Sequence, residues 1–413
     1  MKMHLWQIFL LAAFLALGQD QQGDATAQEK RGSPFSQAKF VPDISLILDC
    51  SFVRRNLSNE EFQNVMIPGV ARWTEPLHAK KGFNLNYGEI TFFSVVDPYF
   101  DLFAVCHVAE HHFGLEEAYG LTRKLPLGLQ LKVGKFLSSF GRINDQHSHY
   151  WDFADQPLVC GALFGEEGLS EIGGRVTWVA PLEAYLLLGA EILEGRNAAS
   201  FGLKGFQVPQ LAASVSGIDG PGLLVGYIKS SVDVEDASVL AGLSVARGMT
   251  RRDDGFSSGD QYGRAFSGNT ALYGCDVTVK YPLDPIRSVS VQGEYLWRDA
   301  HGTLYLNEIG EPVTRPGSME RLSGLYAQAV MKADLRWRLG LRYDLVQTDE
   351  AVMKQFGLSG AESLTRISAM IEFNPTEFSR IRLQYNVDNS RYDFSGGVPK
   401  KKAMHELILQ VNL

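Results

Sequence analysis

Residues Phe378 to Asp388, FSRIRLQYNVD, constrain this chain more than any other stretch. Ile381, Leu383, Tyr385 and Val387 take every second position, and Arg380, Arg382, Gln384, Asn386 and Asp388 fill those between. An extended strand points successive side chains to opposite faces, so one face here is apolar and the other polar and charged. A soluble sandwich reads much the same, so the choice rests on repetition. Leu335, Trp337, Leu339, Leu341, Tyr343 and Leu345 alternate with Arg336, Arg338, Gly340, Arg342 and Asp344. Tyr273, Cys275, Val277, Val279 and Tyr281 alternate with Gly274, Asp276, Thr278 and Lys280. Recurrent strands of this length with aromatic ends fit a transmembrane barrel with an apolar band, aromatic girdles and a polar lumen. The expected fold is all-β, a transmembrane antiparallel β-barrel of 16 strands with 18 as the alternative.

The chain of 413 residues is 45% hydrophobic with mean hydropathy near zero, too long for one sandwich and too polar for a helical membrane protein. Spanning by a barrel requires closure, because only closure satisfies every backbone group in lipid. Lys2, the apolar run Ile8 to Leu17 and the small residues Ala16 and Gly18 read as an export signal over 1–18, with Ala27 as a second cleavage site. Loss of Lys2 takes the formal charge from −8 to −9, which argues against a nucleic-acid partner. Residues 19–42, Gln-, Asp- and Gly-rich, read as a flexible periplasmic segment, and 43–413 as the barrel in the cell outer membrane. Cys50, Cys106 and Cys275 share parity with apolar neighbours and Cys160 falls in a loop, so all four are expected to be free thiols.

Seventeen stretches alternate as strands, one more than the even count expected, and 209–217 is among them. Short turns at 94–101, 124–129, 181–184, 282–286 and 333–336 oppose long polar stretches at 56–82, 139–171, 250–269, 299–320 and 349–363. That asymmetry puts the long loops outside the cell. The last strand, with Leu407, Leu409, Val411 and Leu413 alternating, is similar to the signal read by the barrel assembly machinery, although Leu413 stands where an aromatic residue is usual.

Between residues 67 and 195 the runs IPG, KGFNLNYGEITFFSVVDPYFDLFA, LEEAYGLTRKLPLGLQLKVGKFLSSFGRIN, HSHYWDFADQPLV, LFGEEGLSEIGGRVTWVAP and YLLLGAEILEG resemble a bacterial outer-membrane family labelled zinc-regulated TonB-dependent outer-membrane receptor. The label implies energy-coupled zinc uptake, a plug and a barrel of about 22 strands. Residues 19–42 are too few for a plug, and the barrel looks similar to phosphate-selective porins. The family's His-rich insertion after IPG is reduced here to His78 between Val70 and Lys81. A plug-free channel for passive diffusion of small solutes is therefore expected, with zinc uptake as the alternative.

Parity sends Lys132, Lys280, Arg298, Arg336, Arg338, Arg342, Arg366, Arg380 and Arg382 to the lumen against Asp49, Asp276, Glu294, Asp344, Glu372 and Asp388. Nine basic groups against six acidic favour small anions, unless the charges pair across strands. The aromatic and acidic stretch 140–171 is expected to fold into the lumen as a constriction, with Arg142, Asp152, Asp155, Glu166 and Glu167 facing the pore. His107, His111 and His147 are candidate metal ligands, but alternation along a strand does not make them converge, so no metal or other cofactor is expected. Asp145, His147, Ser148, His149 and Asp152 hold the residue types of a hydrolase without evident convergence, and no enzymatic activity is expected. The expected partners are outer-membrane lipid, small solutes, the assembly machinery and, as an option, further copies of the chain.

Overall fold

The computed structural model describes residues 42–70, 76–110, 112–208, 213–260, 263–307, 312–348, 350–358, 362–395 and 399–413. The export-signal and periplasmic assignments for 1–18 and 19–41 lie outside the described residues, as does His111. β1 (Asp43–Arg55) and the short β2 (Val65–Met66) precede a meander of β3 (Gly82–Val95), β4 (Phe100–Val108), β5 (Phe113–Thr122), β6 (Leu129–Leu137), β7 (Ser170–Val179) and β8 (Tyr185–Leu193). A small hairpin, β9 (Phe206–Val208) and β10 (Ala213–Val215), stands apart from it. The meander resumes with β11 (Leu223–Val234), β12 (Ala237–Asp254), β13 (Arg264–Pro282), β14 (Ser288–Asn307) and β15 (Pro312–Lys332). It ends with β16 (Trp337–Thr348), β17 (Glu362–Thr376), β18 (Ser379–Asp393) and β19 (Lys400–Asn412).

Each long strand pairs antiparallel with the next, β8 pairs with β11, and β1 pairs with β19 from Asp49 opposite Asn412 to Arg55 opposite Glu406. The sheet of 17 strands is thus sixteen long strands closed on themselves, plus the two-residue β2 bonded beside β18. Closure removes the free edges that lipid would not tolerate. The stretch 209–217 is the surplus strand of the sequence reading. Its described part pairs only over Ala213–Val215 with β9, too short to cross a membrane.

The alternation is inverted relative to a soluble protein. Leu341 and Ile367 are 63% and 55% exposed, while Arg382 and Asp388 are 0% exposed. At about 25 cal/mol per Å² such an apolar belt is costly in water and favourable in acyl chains, so the outer surface is the lipid-facing one. Phe100, Tyr281 and Trp337 stand at one rim; towards the other, Tyr273 stacks on Trp297 with centroids 4.9 Å apart. Cys50, Cys106 and Cys275 sit on the outward parity and Cys160 is buried in the loop after β6; all four are free.

Three of the tight turns share one device. Asp97, Asp284 and Asp334 each accept, through Oδ1, the backbone N–H groups two and three residues on, at 2.7–2.9 Å. This side-chain mimic of a backbone turn lets the chain reverse in a few residues. Arg336 lies in the turn opened by Asp334 and is exposed, so strand parity does not apply to it and it is not a lumen residue. Lys280 keeps the inward parity of Asp276 but stands at the last turns of β13, where it is exposed at the rim rather than on the pore wall.

β12 to β15 run for 18 to 21 residues, about twice the 9–11 that a tilted strand needs to cross. The stretches 250–269 and 299–320, expected as loops, are in their described parts mostly a strand overhang. Polar content hid them: inside the overhang Arg252 pairs with Glu320 at 2.5 Å and Arg264 with Asp254 at 3.4 Å, so charged residues occupy the buried face.

Candidate functional site

The loop between β6 and β7 turns into the lumen, as the sequence reading expects of 140–171. It enters at Gly141, whose φ of +68° no side chain adopts readily. The Arg142 and Ile143 N–H groups donate to Glu294 on β14 at 3.0 and 2.8 Å, and Tyr326 OH donates to the same carboxylate at 2.7 Å. The short helix Leu158–Phe164, buried at every residue, then packs on β14, β15 and β16. Gly324 makes room for it: a Cβ there would lie 2.9 Å from Val159 Cγ2. Its residues join Phe136, Phe140, Leu296, Leu322 and Val346 in the main apolar cluster. A wall that parity makes polar therefore becomes, on this side, the wall of a core.

The basic residues of β16, β17 and β18 are spent on holding this loop. Arg342 Nη2 and Arg366 Nη1 meet Asp155 at 2.5 and 2.8 Å, and Gln384 and Asn386 donate to it at 2.9 and 3.1 Å. Asp152 pairs with Arg338, which also holds Glu372 at 3.0 Å. Arg382 bonds Glu372 at 2.7 Å and donates to Trp151 O at 2.8 Å; Arg380 lies 3.6 Å from Glu372. Leu158 N–H donates to Asp344 at 3.0 Å. Asp155 titrates well below the ordinary carboxylate range: burial alone would raise it, and the Arg366 and Arg342 guanidinium groups outweigh that. Arg298 is buried and donates to Ala199 O at 2.7 Å, so it fastens the β8–β11 connection rather than facing an open pore.

The other wall keeps contact with solvent. Lys132 on β6 lies 3.7 Å above the Tyr119 ring and is half-buried, as are Arg175 on β7 and Arg142 in the loop. Arg175 donates to Ser139 Oγ at 2.6 Å and stands 3.9 Å from Glu191. Arg175 and Lys229 escaped the sequence reading; the first sits in a glycine-rich strand and the second opens an unremarkable polar run. Glu166 is half-buried and Glu167 exposed at the turn bounded by Gly165 and Gly168, beyond the helix.

Two of the three candidate histidines, His107 and His147, do converge, contrary to the expectation from alternation. Strand pairing sets Glu89 on β3 opposite His107 on β4, and the bulge at Val105/Cys106 brings Glu116 on β5 to the same side. The loop then delivers His147. His107 Nε2 is 2.5 Å from Glu116 Oε2 and 3.3 Å from Glu89 Oε2; His147 Nδ1 is 3.1 and 3.5 Å from those atoms. Convergence across strands is invisible to a periodicity read along one strand. Ser148 Oγ, between the two loop histidines, donates to Tyr87 OH at 2.7 Å rather than to an imidazole.

No protein-family model matches the chain. An uncharacterized protein of Aquifex aeolicus (strain VF5) is 45% identical over 385 residues, covering 92% of this chain and 79% of that one. OprB of Pseudomonas putida superposes with a TM-score of 0.53 at 12% identity, covering 91% of this chain and 95% of OprB. The anion-selective porin of Comamonas acidovorans gives 0.52 at 10%, covering 90% and 99%. At such identities these likenesses speak for the fold: a porin-like barrel of the bacterial outer membrane.

Proposed function

This chain belongs to one family with the Aquifex aeolicus protein, and on that premise we propose that it is a narrow porin-like channel through which small solutes diffuse passively, with a modest preference for anions. The observation that carries the reading is the division of the lumen. The loop neutralises Arg338, Arg342 and Arg366 on one wall and leaves Lys132, Arg142 and Arg175 in contact with water on the other. Basic groups lining a water path favour anions, and a lumen narrowed to within a Debye length, about 8 Å at physiological salt, strengthens the effect. The Comamonas acidovorans porin is itself anion-selective, which is in keeping with this. The zinc-receptor alternative implies a plug; among the described residues it is the barrel's own loop that enters and narrows the lumen. A catalytic role finds no support in a Ser148 hydroxyl committed to Tyr87.

Purified protein in a planar bilayer separating two salt concentrations tests the reading. The expected result is open pores with an anion-selective reversal potential that Lys132→Glu moves towards cations. Cation selectivity of the unaltered protein overturns the preference, and absence of conductance overturns the channel.

A further inference from the structure

We propose that Glu89, His107, Glu116 and His147 bind one divalent transition-metal ion of the zinc class, which ties the entry of the constriction loop to β3, β4 and β5. One donor atom from each residue lies within 4.8 Å of all the others. Bonds of about 2.0–2.1 Å in a tetrahedral site put neighbouring donors roughly 3.3 Å apart. The separations of 3.1, 3.3 and 3.5 Å surround that value, and the 2.5 Å contact between His107 and Glu116 needs only a small opening. Two imidazole nitrogens with two carboxylate oxygens suit zinc and its neighbours, whereas calcium and magnesium take oxygen alone.

The surroundings prepare these ligands. His147 Nε2 is 2.9 Å from Glu117 Oε2, which fixes the ring and leaves Nδ1 aimed at the cluster, the carboxylate–histidine arrangement that accompanies metal ligands. His107 is stacked on Tyr87 with centroids 4.6 Å apart. Independently of the four, His149 is 7% exposed, and neither of its ring nitrogens has a well-formed hydrogen bond. Its Nδ1 stands 3.3 Å from Glu89 Oε2. A buried imidazole left in this state is costly, and its position on the flank of Glu89 sets a further polar ring beside the site, outside the four converging donors. Three carboxylates, Glu89, Glu116 and Glu117, crowd this part of the lumen, and a dication offsets their repulsion. The ligands come from three adjacent wall strands and the loop, so the ion acts as a clamp distinct from the Asp155 socket on β16–β18.

The site stands whether or not the barrel conducts, and its test reads metal rather than current. Full-length refolded barrel is stripped with chelator and dialysed against Zn²⁺, its metal content is measured, and Co²⁺ is titrated while the visible ligand-field bands are followed. One ion per chain is expected. His107→Ala and Glu116→Gln should each weaken it by more than about tenfold, the loss that even outer-shell partners cause. His405→Ala should leave binding unchanged. Zn²⁺ should also slow proteolysis within the loop of the unaltered barrel but not of the variants. Each variant is first shown to be folded by heat-modifiable migration in gels; a variant that fails is replaced by His147→Gln. Absence of a stoichiometric ion in the unaltered barrel, or full binding in the folded variants, overturns the proposal.

Discussion

Asp155 shows how one side chain decides what a lumen can do. Four donors from three strands converge on its carboxylate, and removing it leaves Arg342 and Arg366 largely buried with Asp344 as their remaining ion-pair partner. Because its folded value is depressed, the anchor is fully present above the unfolded carboxylate value of about 3.9 and fades only as pH falls through the lower folded value. Protease sensitivity of the loop should therefore be unchanged from neutral pH to about 4 and rise only in stronger acid. Asp155→Asn should show the sensitive pattern already at neutral pH, with a loss of about 3 kcal/mol. Equal sensitivity of the two proteins at neutral pH would remove the anchor from the account. At this scale the sequence was half legible: parity sent Arg342, Arg366 and Asp344 inward, but partners some 190 to 210 residues away appear only when the loop folds back.

Strands are where sequence and structure agree best, because the membrane imposes one rule along their whole length. Alternation bounded by turn residues gives β6 its observed bounds, Leu129–Leu137. The reading overreached where alternation lacked length, at 209–217. It fell short where burial had another cause, in the overhang of β12–β15, whose inward face is closed by ion pairs instead of lipid contrast. The same rule yields a graded expectation for one element. Leu341, in the middle of β16 and facing lipid, should cost about 2–4 kcal/mol as Leu341→Arg, whereas Leu335→Arg in the preceding turn should cost at most about 1 kcal/mol. Reversible folding into lipid vesicles measures both, and equal costs would place β16 elsewhere than across the bilayer.

For the whole molecule, loop and wall act as one charged object. The set of charges that parity sends inward, nine basic against six acidic, suggests an anion-attracting ladder, yet the loop acids and wall arginines cancel where they meet. Charge balance therefore depends on whether the loop is docked. In Asp152→Asn combined with Asp155→Asn, Arg338, Arg342 and Arg366 lose their carboxylate partners in the loop, while Glu372 and Asp344 still hold part of their charge. Loosening the loop also exposes the wall behind the helix Leu158–Phe164. Two changes should arrive together in bilayer recordings: a larger single-channel conductance and a reversal potential shifted further towards anions. Lys132→Glu, on the wall that already meets water, should shift selectivity towards cations with little change in conductance. A double variant that widens the pore without moving the reversal potential would mean that the released arginines re-pair among their own wall carboxylates, and that the β6–β7 side alone sets selectivity.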